Sequence, residues 1–251
     1  MSANKETLGK TLGVVLAVCL VCSVIVSGAA VGLRSLQQHN AMLDKQTNIL
    51  EAADLLDKAN GDIAGTFKKF VEIRYVDLST GEYVEKPSTN FDMYKAAKKP
   101  DMSTALDGSP AGFKRVANVA SVYLVKDEAG NTTRVVLPIH GSGLWDLMYA
   151  FLAVDVDGAT ARNLVYYQQK ETPGLGGEVQ NPAWKAKWDG KKLFKDGKVA
   201  IKVVKNASSN DPYTVDALSG ATLTSNGVQH QLDFWLGEQG FGPYLKNLKR
   251  G

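Results

Sequence analysis

The residues most able to do chemistry are the seven from Asp216 to Thr222, which read D-A-L-S-G-A-T. They place a threonine hydroxyl at the end of a loop of small side chains. Threonine is a weak nucleophile, so a separate enzyme must supply the base and bring its donor close to the backbone. Ser219, Gly220 and Ala221 leave room for that approach. The stretch therefore predicts a covalent attachment point at Thr222.

A helix is predicted just downstream of Thr222. Ser225 is a favourable N-cap residue, and Val228, Leu232 and Trp235 follow it at three- to four-residue spacing. Thr222 would then lie just before the positive end of the helix dipole, which favours a phosphate group.

The stretch resembles the flavin-attachment motif D-x-x-[ST]-G-A-[ST], in which a dedicated transferase esterifies the last hydroxyl with the phosphate of FMN. This sequence fills every fixed position of that motif. A second G-A-T, at residues 158–160, has Asp157 in place of the serine and Val154 in place of the aspartate. We interpret it as a hairpin turn in which Asp157 and Gly158 form the bend. Thr160 therefore serves as a comparison within the same chain.

Two further loops contain more glycine than a turn requires. Residues 141–145 read G-S-G-L-W, and residues 171–177 read E-T-P-G-L-G-G. The planar isoalloxazine ring of a flavin needs apolar faces and nearby backbone groups, which glycines allow to approach closely. The alternative for each loop is a long hairpin connection with Trp145 in the core. The candidate cofactor-binding residues are Leu144, Trp145, Glu171, Thr172, Gly174, Leu175 and Gly176 of these loops, together with Ser219, Gly220 and Ala221 of the stretch before Thr222.

Residues 11–33 form a run of 23 without a charged side chain. As a helix this run would be roughly 35 Å long, enough to span a bilayer. Residues 27–30 would also suit a signal peptidase, but signal h-regions usually run about 7 to 15 residues, so the length favours a retained anchor. Lys5 and Lys10 slightly favour a cytoplasmic tail at residues 1–10, with the rest of the chain outside the cytoplasm.

Both cysteines, Cys19 and Cys22, fall inside this predicted span. The soluble part therefore has no thiol for a disulfide. A metal or cluster site would need further thiolate or imidazole ligands, and the three histidines, at 39, 140 and 230, are scattered. We predict small apolar residues of a membrane helix and no metal site.

The soluble part begins with a helical pattern. Leu36, Leu43 and Leu50 repeat every seven residues, which predicts a stalk helix that extends as far as Asn60. The lysine-rich residues 82–110 are interpreted as an irregular insertion. The predicted division is thus a stalk and insertion at 34–111 and a domain at 112–251.

From Phe113 onward the sequence predicts an α+β domain with mostly antiparallel strands. A short helix at 182–188 and the helix after Ser225 accompany the strands. No G-x-G-x-x-G or G-x-x-x-x-G-K-[ST] is present, so we do not expect this chain to bind NADH or ATP by itself. With a formal net charge of +3 and an ordinary composition, we expect no nucleic-acid partner. The predicted strands are 119–125, 134–139, 148–156, 164–168 and 200–204.

Four motifs together resemble the FMN-binding domain found in the C subunit of the sodium-translocating NADH:quinone oxidoreductase. The order and spacing of the motifs agree, as do the single N-terminal span and the length. The G subunit of the Rnf electron-transport complex shares the attachment motif, the E-T-P-G-L-G loop and the anchor, but the long insertion and the G-L-W-D-L-M-Y-A stretch resemble the sodium-translocating family more closely. The motifs are G-S-G-L-W at 141, E-T-P-G-L-G-G at 171, N-P-x-W at 181 and D-A-L-S-G-A-T at 216.

The resemblance implies an electron-carrying member of an assembly of six subunits in the bacterial inner membrane, with its domain in the periplasm. FMN would be joined to Thr222 through a phosphoester by a flavin transferase, which would recognise Asp216, Ser219, Gly220 and Ala221. Electrons from NADH would pass through iron-sulfur subunits to this flavin and then to a second FMN-bearing membrane protein of the complex. Ubiquinone would be the final acceptor, with export of sodium ions. The chain would have no catalytic residues of its own.

Two other functions fit parts of the sequence. A membrane-anchored sensory module would hold FMN without passing electrons, and it should bury the flavin edge that an electron carrier leaves open. An anchored stalk without a cofactor would leave the attachment motif unexplained.

Overall fold

The computed structural model describes residues 7–248. These form two compact units, with the boundary between Lys45 and Gln46. Residues 1–6 of the predicted tail and residues 249–251 of the predicted domain lie outside the described residues. The first unit contains helix α1, Leu8–Gly32, in which no residue is buried. By length and composition this helix can cross a membrane. Cys19 and Cys22 lie exposed on it.

The predicted stalk helix is shorter than expected. Helix α2 runs over Arg34–Ala52, and Asp54 then adopts a left-handed conformation with φ 59°, which a continuous α-helix does not allow. Two short helices follow, α3 at Leu56–Ala59 and α4 at Ile63–Phe70. The prediction of one helix to Asn60 was therefore wrong in its extent.

The predicted α+β class is confirmed: the second unit is built on a six-stranded antiparallel sheet with the order β2-β1-β5-β6-β7-β8. The unit also contains three two-stranded sheets, β3 with β4, β9 with β10 and β11 with β12. The first two are antiparallel and the last is parallel. The strands are β1 Val71–Asp77, β2 Tyr83–Val84, β3 Ser103–Ala105, β4 Arg115–Ala117, β5 Val119–Lys126, β6 Thr132–Ser142, β7 Leu147–Asp155, β8 Ala161–Gln168, β9 Phe194–Lys195, β10 Lys198–Val199, β11 Lys202–Val204 and β12 Thr214–Asp216.

Strand β1 is an element that the sequence analysis missed. It pairs along its full length with β5, from Val71 opposite Val125 to Asp77 opposite Val119. The compact unit therefore includes residues well before 112. The segment interpreted as an irregular insertion contains β2, β3 and helix α5, Met93–Ala96, joined by loops.

Successive side chains of a strand point to opposite faces of the sheet. In this sheet both sets are apolar, so each face carries its own core. Val122 and Leu124 of β5 belong to one apolar core, whereas Tyr123 and Val125 belong to the other. Helix α7, Thr222–Trp235, packs on the first core, and Ile49 and Leu50 of α2 belong to the second. The remaining α-helices of the described residues are α6 Pro182–Lys185 and α8 Gly242–Leu248.

Helix α7 is fixed to the sheet by both apolar and polar contacts. Val228, Leu232 and Trp235, the residues whose spacing predicted the helix, are each fully buried. Burial of such a side chain contributes about 1.5–3 kcal/mol relative to exposure. The Trp235 indole Nε1 also donates to the His140 carbonyl of β6 at 2.7 Å. The C-terminal end of α7 is thereby held beside the end of β6.

Candidate functional site

Helix α7 begins at Thr222, with Ala221 at the N-cap position, four residues earlier than predicted. The Ser225 hydroxyl does not cap it; this hydroxyl accepts from the Leu218 N–H at 3.0 Å and donates to the Ala221 carbonyl at 3.0 Å. The predicted cap at Ser225 was therefore wrong, because that side chain closes the preceding loop instead.

The start of α7 nevertheless offers donors for an anion. The first intrahelical bond is from the Ser225 N–H to the Ala221 carbonyl at 3.0 Å. The N–H groups of Thr222, Leu223 and Thr224 therefore lack a carbonyl partner within the helix. Thr222 itself is exposed, whereas Ala221 before it is buried. The geometry places an accessible hydroxyl at a positive helix end.

Gly220 brings the attachment loop against the second glycine-rich loop. It has a φ of 71°, a conformation that favours glycine. A Cβ at this position would lie 3.1 Å from Cδ2 of Leu175. Leu218 in the same loop is buried, while Ser219 and Gly220 are exposed. The predicted contacts Gly220 and Leu175 are thus neighbours in space.

Asp216, the first residue of the motif, is used by the fold. Its carboxylate accepts from the Ala207 N–H at 2.8 Å and from the Lys187 ammonium at 2.7 Å. Its carbonyl accepts from the Trp184 indole at 2.8 Å, which links the N-P-x-W motif to the attachment loop. The hydrogen bond from Lys187 lowers the pKa of the Asp216 carboxyl. These bonds give Asp216 a place in the turn before Thr222.

The Glu171 carboxylate joins three elements of the site. Its side chain is buried, with 5% of its surface exposed. Oε1 accepts from the Trp145 N–H at 3.0 Å, and Oε2 accepts from the Thr224 hydroxyl at 2.5 Å. Glu171 therefore connects the loop between β6 and β7, the loop after β8 and the first turn of α7.

The sequence analysis did not identify Thr224 as a site residue. This residue is 1% exposed and lies four residues before Val228, on the buried face of α7. A polar residue in that register needs a hydrogen-bond partner, and Glu171 provides it. The position of Thr224 on the apolar face of the predicted helix was the sequence signal that could have identified it.

Two glycines pack directly against this carboxylate, and neither position has room for a larger side chain. A Cβ on Gly143 would lie 2.5 Å from Oε1 of Glu171, and one on Gly176 would lie 2.7 Å from Oε2. Real Cβ atoms do not approach so closely. Gly174, by contrast, has a φ of 75° and open space around it. The loops therefore use glycine for close packing as well as for backbone exposure.

Gly227 provides a test of the contact between α7 and the β6–β7 loop. A Cβ there would overlap the Ser142 carbonyl oxygen and lie 3.2 Å from Cα of Gly143. We expect Gly227→Ala to lower the free energy of unfolding by about 2 kcal/mol through overpacking, although alanine favours a helix. The exposed neighbouring variant Asn226→Ala should raise the free energy of unfolding by about 0.5 kcal/mol. Urea unfolding measures both; an increase of similar size in the two variants would contradict this packing.

Four large apolar side chains, three on these loops and one in the first turn of α7, are exposed, and we call them the apolar rim. They are Leu144 at 47%, Trp145 at 68%, Leu175 at 44% and Leu223 at 59% exposure. The alternative that places Trp145 in the core was therefore wrong. Its indole Nε1 donates to the Thr172 hydroxyl at 3.3 Å. Exposed apolar side chains on loops that are held in place by hydrogen bonds indicate a binding surface.

The second G-A-T is the predicted hairpin turn. Gly158 has a φ of 65°, and the Asp157 carboxylate accepts from the Ala159 and Thr160 N–H groups at 2.8 Å each. Thr160 is 5% exposed and its hydroxyl donates to Asp157 at 2.5 Å. This hydroxyl is buried and engaged, whereas that of Thr222 is accessible.

The comparisons with known proteins agree with one another. A model of the FMN-binding domain matches residues 143–237. The C subunit of the Na(+)-translocating NADH-quinone reductase of Yersinia pestis is 51% identical over 99% of this chain and 96% of its own, and that of Vibrio anguillarum is 50% identical over 100% and 99%. The crystal structure of Shewanella oneidensis NqrC is similar with a TM-score of 0.77, at 37% identity over 82% of this chain and 96% of that one. The crystal structure of the equivalent protein from Parabacteroides distasonis has a TM-score of 0.65 at 28% identity over 85% and 96%.

Proposed function

The chain belongs to the family of the C subunit of the Na(+)-translocating NADH-quinone reductase, and we propose that it relays electrons within that complex through an FMN esterified to Thr222. The observation that carries this proposal is the accessible Thr222 hydroxyl at the end of a complete D-A-L-S-G-A-T motif. The buried, hydrogen-bonded Thr160 supports it, because a G-A-T sequence alone does not produce such a position.

The residues around Thr222 fit the phosphate end of FMN. Esterification by the transferase would form a bond between the threonine oxygen and the phosphorus of a flavin nucleotide donor, break the bond from that phosphorus to the donor's leaving group, and release the hydroxyl proton with that group. The remaining charge on the phosphate would face the N–H groups of Thr222, Leu223 and Thr224, which lack helical partners. The Asp216 carboxylate, which would repel a phosphate, is paired with Lys187 and the Ala207 N–H. At the attachment position, the helix N–H groups would therefore attract the phosphate, and the Asp216 charge that would repel it is balanced by Lys187.

The apolar rim fits the ring end. Leu144, Trp145 and Leu175 would supply faces for stacking, and the exposed Gly174 would leave backbone groups accessible near Thr172. When bound, the flavin supplies a centre that accepts and releases one or two electrons. A ring held in this rim would keep an edge open to another redox protein, as an electron carrier requires and a sensory module does not.

The assembly around the chain completes the proposal. Helix α1 anchors the chain in the inner membrane with residues 1–10 in the cytoplasm and the second unit in the periplasm. Iron-sulfur subunits supply the electrons, a second FMN-bearing protein of the complex receives them, and ubiquinone is reduced as sodium ions are exported. A flavin transferase attaches the FMN before this chain can function.

Electron relay is tested by anaerobic addition of NADH to the assembled complex. We expect the loss of oxidised-flavin absorbance to be smaller by two flavins in a complex assembled with the Thr222→Ala variant of this chain, because the flavin of this chain is absent and the second FMN downstream of it receives no electrons. Ubiquinone should restore the full absorbance in the wild-type complex. Equal bleaching in both complexes, with covalent flavin present in the wild type, would mean that this flavin is not reduced and would favour the sensory module.

The ring position is tested at the apolar rim. Trp145→Ala and Leu175→Ala should each leave the covalent flavin in place and shift its midpoint potential. A stacking contact of about 1 kcal/mol that differs between redox states corresponds to about 20 mV for a two-electron couple. Val156→Ala, at an exposed apolar residue outside these loops, should leave the potential unchanged. Unaltered potentials and spectra in both rim variants would contradict this ring site.

A further inference from the structure

A concave surface lies beside His140 of β6 and Tyr149 of β7, outside the apolar rim, and we call it the aromatic cleft. Its volume is about 560 Å³, within the range of small-molecule sites. His140 and Tyr149 face each other across the two strands, with ring centroids 5.5 Å apart and an interplanar angle of 13°. Phe113 stacks on His140 at 4.5 Å, and Tyr94 meets both His140 and Tyr149 edge-on. Four rings therefore form one apolar wall.

The imidazole in this wall has an unmet hydrogen-bonding group. His140 is 7% exposed, and its Nδ1 has no hydrogen-bond partner among residues 7–248. Burial lowers the pKa of His140 to about 4, so the ring is neutral at physiological pH and carries one donor and one acceptor. Buried polar atoms without a partner are rare and indicate a missing ligand, ion or water.

The rim of the cleft is cationic. Lys95, Lys98 and Lys114 line it with exposed side chains, and within the described part of the chain none of them forms a salt bridge. Arg115 also lines the cleft, but its guanidinium donates to Ser103 and to the Pro100 carbonyl. Asp92 is the carboxylate among the lining residues, and it caps α5 by accepting from the Lys95 N–H at 2.9 Å. Three unpaired ammonium groups thus surround an aromatic wall.

We propose that the aromatic cleft binds a planar aromatic anion, whose ring packs on the wall of Phe113, His140 and Tyr149 and whose anionic group is held by Lys98 and Lys114. The apolar wall selects for a ring, the lysines select for negative charge, and the neutral imidazole offers a hydrogen bond to a polar ring atom. The inference does not depend on the flavin at Thr222, because none of the cleft residues belongs to the attachment loop or the apolar rim.

Calorimetry with naphthalene-2-sulfonate tests this proposal on the full chain in detergent, with a detergent blank. Saturable binding is expected for this probe, and at least about tenfold weaker binding for methanesulfonate and for 2-naphthol, since each lacks one of the two recognised features. Lys98→Glu with Lys114→Glu should weaken probe binding by about tenfold. The paired control, Lys198→Glu with Lys205→Glu at exposed lysines outside the cleft, should change it by less than about twofold.

His140→Phe separates stacking from hydrogen bonding, because it keeps an aromatic ring and removes both nitrogens. We expect it to weaken binding of the probe by about fivefold. The same measurements on Thr222→Ala, which lacks the attached flavin, should give the wild-type affinity. The absence of saturable binding, or equal weakening by the cleft and control lysine pairs, would overturn the proposal. Tighter binding in Thr222→Ala, together with an affinity that does not change in the cleft variants, would place the probe at the vacated flavin site and would also overturn the proposal.

Discussion

Replacement of Thr222 by alanine is expected to abolish covalent flavin completely and to leave the domain folded. The substitution removes the oxygen that would carry the phosphoester. The side chain is exposed at the first residue of α7, so the free energy of unfolding should change by less than about 0.5 kcal/mol. Thr222→Ser should keep the flavin, because serine retains the hydroxyl at the same position. Flavin fluorescence of the denatured chain, produced in a host that contains the transferase, measures the attachment.

Thr160→Ala is the matched control for this prediction. Thr160 also ends a G-A-T sequence, but its hydroxyl is buried and donates to Asp157. We expect full flavin content and a free energy of unfolding lower by about 1–2 kcal/mol, from the loss of that buried hydrogen bond. Covalent flavin that survives in Thr222→Ala, or that disappears in a folded Thr160→Ala, would contradict the assignment.

Replacement of Glu171 by alanine should destabilise the second unit by about 3 kcal/mol. The change removes the acceptor of both the Trp145 N–H and the buried Thr224 hydroxyl, and it leaves two donors unsatisfied. It also opens space between Gly143, Gly176 and α7, which pack against this carboxylate. Urea unfolding followed by far-UV circular dichroism measures the loss.

Two variants test whether the loss of stability in Glu171→Ala comes from its buried hydrogen bonds or from the removal of a negative charge. Thr224→Val removes one of the two donors to Glu171 and should lower the free energy of unfolding by about 1–2 kcal/mol, half the effect of Glu171→Ala. Glu128→Ala removes an exposed carboxylate from the turn between β5 and β6 and should change the free energy of unfolding by less than about 0.5 kcal/mol. A similar small change for Glu171→Ala would show that this carboxylate does not hold the three elements together.

Several features of the fold could be predicted from the sequence because local patterns determine them. The apolar spacing of Val228, Leu232 and Trp235 predicted α7, and the alternating strands from Val119 onward predicted most of the sheet. The G-A-T at Thr160 was predicted as a turn because Asp157 and Gly158 favour one. The family resemblance that the motifs indicated is confirmed by relatives that match over nearly the whole chain.

Other features depend on contacts between distant residues. Ser225 has the right type for an N-cap, but its hydroxyl bonds to Leu218 and Ala221, so the helix begins earlier. Glu171 was predicted as a ring contact, whereas its burial and its bond to Thr224 arise from residues 53 positions apart. Strand β1 was missed although its partner β5 was found and although residues 71–75, V-E-I-R-Y, alternate apolar and polar side chains as a strand does. This segment is only five residues long before the pattern breaks, and its pairing with β5 joins residues more than 40 positions apart.

The most direct test of the central claim is the intact mass of the denatured wild-type chain, purified from a host that contains the flavin transferase, with peptide mapping of residues 206–246. We expect an added mass equal to FMN less one water, located on Thr222. An unmodified chain, or the same added mass on another residue, would contradict the account.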